Sequence, residues 1–178
     1  MPDTNLQYDQ AIDAAASIFF KKTQDYGTAW RVLRPISIID QIFIKAQRIR
    51  TIQELGDQRV EDGIADEFKG IINYAVIGLM QLQLTNTDPE EMSLEDVKPR
   101  YLQVVSDTKK LMQNKNHDYG EAWRSMSQES FVDLILMKLQ RMRQILSNDG
   151  KTLISEGLDA NFQDMLNYAV FALILLNE

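Results

Sequence analysis

Asp118 follows the chain's only histidine, His117, in the stretch N-H-D-Y-G-E-A-W-R at 116–124. A second copy lacking the histidine, T-Q-D-Y-G-T-A-W-R, occupies 23–31. An imidazole beside a carboxylate can pass a proton near neutral pH, and a carboxylate can hold a divalent cation directly or through water. His117, Asp118 and Asp164 are therefore the candidate catalytic groups, and Asp118, Glu156, Asp164 and Glu67 the candidate ligands for Mg²⁺, with Mn²⁺ as the alternative. In each copy of the turn the tyrosine and tryptophan, Tyr119 and Trp123 above all, offer faces on which a base could stack.

Cations stand at matching distances. I-K-A-Q-R-I-R at 44–50 and M-K-L-Q-R-M-R at 137–143 place Lys45 and Arg48, and Lys138 and Arg141, at the edge of an apolar helical stripe. Such side chains either snorkel and hold acids of a neighbouring helix or clamp a phosphate. Asp164 intrudes among core positions with Tyr168 and Phe171, so it must be paired with Lys138 or Arg141, change its ionisation, or hold a metal. Asn73 and Asn167 read as interhelical hydrogen-bond anchors or as ligand contacts. Asp25 and Asp118 sit near a helix C-terminus, the wrong end for an anion, and so require a partner; with Tyr26 they join the candidate binding residues.

The elements that must carry these residues are two copies of one unit. Asp25/Asp118 through Arg31/Arg124, then Lys45/Lys138 and Arg48/Arg141, keep a spacing of 93, and Asn73-Tyr74-Ala75-Val76 recurs at Asn167-Tyr168-Ala169-Val170 after one inserted residue. Apolar residues recur at three and four throughout, which predicts an all-α protein. The helices are expected at about 5–22, 36–54 and 61–84, and again at about 99–114, 129–147 and 157–177. Residues 1–85 form the first repeat, 86–98 a linker with a short helix starting at Asp88-Pro89-Glu90, and 99–178 the second. Neither unit alone can close a good core, so the two are expected to pack as one body with pseudo-two-fold symmetry. A further homodimer is open.

At 178 residues with 44% hydrophobic content the chain can bury such a core. It has no cysteine, which removes disulfides and thiolate chemistry, and no basic leader followed by an apolar run, so the cytoplasm is the expected compartment. The longest apolar run, 168–176, is short of the roughly 20 residues a spanning helix needs, and no membrane partner is expected. A net charge of −7 disfavours duplex nucleic acid, whereas a free nucleotide carrying its own Mg²⁺ escapes that repulsion.

Taken together, D-Y-G-x-A-W, K-x-x-R and D-x-x-N-Y-A resemble the nucleotide modification associated domain 1 family, over essentially each whole unit. The resemblance implies a role in nucleotide metabolism and a helical layout similar to the MazG-type nucleoside triphosphate pyrophosphohydrolases, which hold Mg²⁺ on E-x-x-E and E-x-x-D. Glu67 and Gly70 stand at the E-x-x-D positions of the first unit, and Asn161 and Asp164 at those of the second, so each unit keeps one acid; Lys45-x-x-Arg48 and Lys138-x-x-Arg141 stand where E-x-x-E would. Two functions follow as expectations. One is metal-assisted hydrolysis or modification of a nucleoside phosphate in the groove between the repeats, centred on the second. The other is a non-catalytic nucleotide-binding or regulatory module. On this reading Arg141→Ala strips Asp164 of its partner and costs more than Arg48→Ala, which faces Gly70.

Overall fold

The computed structural model describes residues 2–56, 63–153 and 156–178. Among them are six helices and no strand: α1 (Thr4–Tyr26), α2 (Pro35–Leu55), α3 (Ile64–Gln83), α4 (Leu94–Tyr119), α5 (Gln128–Ser147) and α6 (Leu158–Leu176). None is long and apolar enough to cross a membrane. A single 3-10 turn, Ala29–Val32 or Ala122–Ser125, joins the first helix of each repeat to the second.

Local chemistry sets the helix ends. The Asp3 and Ser93 side chains accept from Leu6 N and Asp96 N and so cap α1 and α4, and Pro35 opens α2, where its missing N–H costs nothing. α1 and α4 run several residues past their expected ends, because Asp25-Tyr26 and Asp118-Tyr119 form the last helical turn instead of following it. Gly27 and Gly120 then stop the helices at φ 71° and 61°, a region that costs a side chain strain. Asp88-Pro89-Glu90 begins no helix. Asp88 folds back to accept from Thr85 N at 2.8 Å, and α4 starts only after Ser93. Pro99 lies inside α4 near its start, where it removes one backbone bond from an exposed turn.

The repeats do not lie side by side as separate cores. α3 and α6 make the most extensive contact of the molecule, α2 pairs with α5, and α1 and α4 each touch both α3 and α6. One continuous core results, with Phe68, Phe131 and Phe162 fully buried. Gly78 of α3 allows the close approach, since a Cβ there would stand 2.6 Å from the Phe162 ring. The expected pseudo-two-fold body is what the chain forms.

Two reciprocal hydrogen bonds tie the repeats. Tyr8 of α1 donates to Asn167 Oδ1 of α6 at 2.7 Å, and Tyr101 of α4 donates to Asn73 Oδ1 of α3 at 2.7 Å. Each asparagine then donates inside its own repeat, Asn73 to the Ala15 carbonyl at 3.0 Å and Asn167 to the Thr108 carbonyl at 3.4 Å. Asn167, expected among the substrate contacts, is therefore an interhelical anchor with both ends engaged and is 6% exposed.

Asn167→Ala leaves the Tyr8 hydroxyl buried without a partner and removes the second donor from the Thr108 carbonyl, which keeps its helical bond within α4. It should cost about 2–4 kcal/mol in urea unfolding, and Tyr8→Phe about 1–2 kcal/mol. Burial, with smaller contributions from neighbouring groups, holds both tyrosine hydroxyls well above their ordinary value. A folded value raised above the unfolded one means that stability is intact below about pH 10 and falls as the unfolded chain deprotonates first. The urea midpoint should drop through the alkaline range, and the drop should be shallower in Tyr8→Phe.

Candidate functional site

In the second repeat Asp164 is 6% exposed and lies between two lysines. Lys138 of α5 reaches Oδ2 at 2.9 Å, and Lys115, from the last turns of α4, reaches Oδ1 at 2.8 Å. Burial alone would lower Lys115, but the hydrogen bond and charge of Asp164 outweigh it and hold the ammonium above its usual value. Burial, then the negative charge of Asp164, raises the neighbouring Tyr168 hydroxyl. Arg141, the other expected partner, is exposed and makes no ion pair or hydrogen bond among the described residues; it faces an open depression with Lys151 and Glu156. Lys115 escaped the sequence reading, although its counterpart Lys22 stands at the same spacing of 93.

The first repeat carries the same cations around a different centre. Position 70 is glycine where the second repeat has Asp164, and the nearest acid is Glu67, one helical turn earlier. Arg48 takes Glu67 Oε1 at 3.0 Å, while Lys45 stands 3.9 Å from Oε2 and 5.8 Å from the centre of the Tyr74 ring. Lys22 makes no ion pair or hydrogen bond among the described residues. Around these groups is a cavity of about 550 Å³ walled by the end of α1, the 3-10 turn, α2 and α3. Lys22, Lys45 and Lys69 line it with Asp66 and Glu67, and Tyr26, Trp30 and Tyr74 supply aromatic wall. Burial, with Tyr26 beside it, raises the Tyr74 hydroxyl. The cavity lies within the first repeat, where the sequence reading had placed the site in the groove between repeats and favoured the second.

The turn motifs divide into surface and scaffold. Asp25 and Tyr26 are exposed, as are Tyr119 and the His117–Asp118 pair, whose Nδ1 and Oδ1 stand 3.1 Å apart in solvent. Trp123 is not a base platform: it is 6% exposed and stacks on Phe171 with centroids 4.2 Å apart. The arginine that closes each motif, to which no role had been given, is a clasp. Arg31 donates to the carbonyls of Thr85, Asp88 and Pro89 and to Gln81, tying the turn to the end of α3 and the linker. Arg124 does the same with Glu121, Gln7, Thr4 and Glu178.

The expected metal ligands do not converge. Asp164 is held by two lysines and Glu67 by Arg48, with Lys45 3.9 Å off, Asp118 and Glu156 are exposed, and no group of three or more acidic or histidine side chains suited to a metal occurs among the described residues. Mg²⁺ requires several hard oxygens, and this donor set does not fit it.

A model of the nucleotide modification associated domain 1 family matches residues 22–82 and 115–176, one stretch in each repeat. The chain belongs to that family. No curated protein and no solved structure matches it. The two matched stretches of this nucleotide modification associated domain begin at Lys22 and Lys115 and run through the third helix of each repeat, so each contains the complete set of cations, the acid positions 67/70 or 161/164, and the Asn-Tyr pair.

Geometry reverses the expected order of the arginines. Arg48→Ala should destabilise more than Arg141→Ala, because Arg48 holds a largely buried carboxylate and Arg141 holds none. Lys138→Met, which removes one of two cations from a buried acid, should cost about 3 kcal/mol, and Arg141→Ala should stay within roughly 0.5 kcal/mol of the parent, both measured as urea midpoints.

Proposed function

We propose that the protein binds a nucleoside phosphate in the first-repeat cavity, as a nucleotide-binding module in which the lysines hold phosphate and the tyrosines hold the base. The observation that carries this reading is the cavity itself. Three lysines line it against two acids, so its lining is net positive in a chain whose net charge is −7. Lysine binds phosphate as a point charge, and an aromatic face accepts any base. A volume of about 550 Å³ suits a ligand of this size. The family to which the chain belongs bears nucleotide modification in its name, which agrees with this chemistry.

The alternative of a metal-assisted hydrolase, which a MazG-like layout implies, needs carboxylates free to coordinate Mg²⁺ or Mn²⁺. Here the buried carboxylates are already bound to cations, so the binding reading is preferred, and any Mg²⁺ arrives on the nucleotide's own phosphates. Thermal melting with a panel of nucleoside mono-, di- and triphosphates in EDTA tests it. Ligand at about 100 times Kd should add about 2.7 kcal/mol. Lys45→Ala and Tyr74→Ala should each weaken binding about tenfold or more. If no nucleotide raises the melting temperature, or Lys45→Ala leaves the rise unchanged, the reading fails; phosphate or pyrophosphate release in the same panel would instead favour the enzyme.

A further inference from the structure

We infer that Gly70 determines which repeat binds a ligand: with no carboxylate at this position, Lys22 and Lys45 form an oxyanion site in the cavity, a site that the chain's own Asp164 occupies in the second repeat. This deepens the proposed function by naming where the phosphate group sits, and it rests on the same cavity.

Duplication supplies the comparison within one molecule. Lys115, Lys138, Asp164 and Tyr168 correspond to Lys22, Lys45, Gly70 and Tyr74. In the second repeat both ammonium groups close on the Asp164 oxygens, at 2.8 and 2.9 Å, and satisfy a buried anion. In the first repeat the same two lysines line a cavity with Gly70 and share no carboxylate. Glu67 does not replace it, since Arg48 holds that acid at 3.0 Å and Lys45 stays 3.9 Å away. The outer carbons of Lys45 instead rest on Gly70, where an added Cβ would stand 2.7 Å from Cε and 3.0 Å from Nζ. Lys45 therefore lies over the place that the missing side chain leaves. A phosphate oxygen arriving there would meet two ammonium groups, as the oxygens of Asp164 do in the other repeat. The remaining volume differs as well: Phe171 packs on Trp123 in the second repeat, while its counterpart Ile77 lines the cavity in the first. At this position anion and base thus have room on one side of the pseudo-two-fold and not on the other, where Arg141 and Lys151 border a separate and more open depression.

The experiment uses full-length Gly70→Asp and Gly70→Asn, with inorganic pyrophosphate and the nucleotide panel as probes, read by melting and calorimetry. Both variants add side-chain volume and remove a helical glycine, but only aspartate supplies the anion. Gly70→Asp should melt above Gly70→Asn without ligand, and should bind pyrophosphate about 30-fold or more weakly than the parent, with Gly70→Asn in between. Lys22→Met, which leaves the helix backbone untouched, should also lose pyrophosphate binding. Equal weakening by the two Gly70 variants, undiminished binding in Gly70→Asp, or a parent that pyrophosphate does not stabilise overturns the inference. Pyrophosphate binding with the expected order of variants, and no nucleotide binding more tightly than pyrophosphate, upholds the oxyanion site and removes the nucleotide. Nucleotide binding that Gly70→Asp leaves intact does the reverse.

Discussion

The exchange of hydrogen bonds between Tyr8 and Asn167 and between Tyr101 and Asn73 is the constraint on which the rest of the molecule depends. A buried hydroxyl and a buried amide are each costly unless they meet, and here each repeat supplies the donor for the other's acceptor. Apolar packing of α3 on α6 supplies most of the cohesion, but it is compatible with many rotations and slides. The two polar pairs are not, because a shift along either helix would leave four buried groups unsatisfied. Since each asparagine also donates to the first helix of its own repeat, the pairs fix α1 on α3 and α4 on α6. Lys22 and Lys115 sit further along those first helices, so the same bonds position Lys115 against Asp164 and Lys22 on the wall of the cavity that Gly70 lines.

Pseudo-symmetry built in this way leaves the periphery free to diverge. Arg31 and Arg124 keep one task, anchoring the 3-10 turn, with entirely different acceptors: linker carbonyls in one case, and the α1 start together with Glu178 in the other. α2 and α5 meet across the axis, yet the pairing is one-sided. Arg143 reaches Asp40 at 3.0 Å and lies over the Phe43 ring, while its counterpart Arg50 turns to Glu54 on its own helix. Equivalence at the centre and inequivalence at the rim follow from burial: a buried partner cannot be exchanged without penalty, and an exposed one can.

The fold was legible because periodicity and the 93-residue spacing are properties of the chain in one dimension. Helix ends were less so. Asp-Tyr-Gly reads as a turn after a helix, yet only its glycine leaves the helix, since Asp and Tyr have no conformational reason to stop it. Asp88-Pro89-Glu90 carries the marks of a helix start, but Asp88 bonds back to Thr85 and spends its capping oxygen there. Of the candidate site, the cation positions and the complementary loss of acids at 67/70 and 161/164 were visible. Which cation met which acid was not. Arg48 lies one step further round its helix than Lys45, and so does Arg141 from Lys138; Arg48 nonetheless reaches the acid at 67, while Arg141 cannot reach the one at 164. Lys115 was missed because it sits on the solvated side of α4 and becomes relevant only once α4 has been placed against α6.

The single acid of each repeat, at 67 in one and at 164 in the other, has opposite consequences for the two. Asp164 sits deep on α6 and draws both lysines inward, which converts two charges and a carboxylate into a closed salt bridge. Glu67 sits one turn nearer the start of α3, pairs with Arg48 at the rim, and leaves Lys22 and Lys45 without a shared carboxylate. Both lysines line one partly enclosed cavity, where water screens their charges incompletely. On the proposed reading an external anion neutralises them, whereas in the second repeat the neutralising group is already covalently part of the chain. The acid at position 164, absent at position 70, is therefore what closes one half of this molecule on itself and, on the proposed reading, leaves the other half open to a ligand.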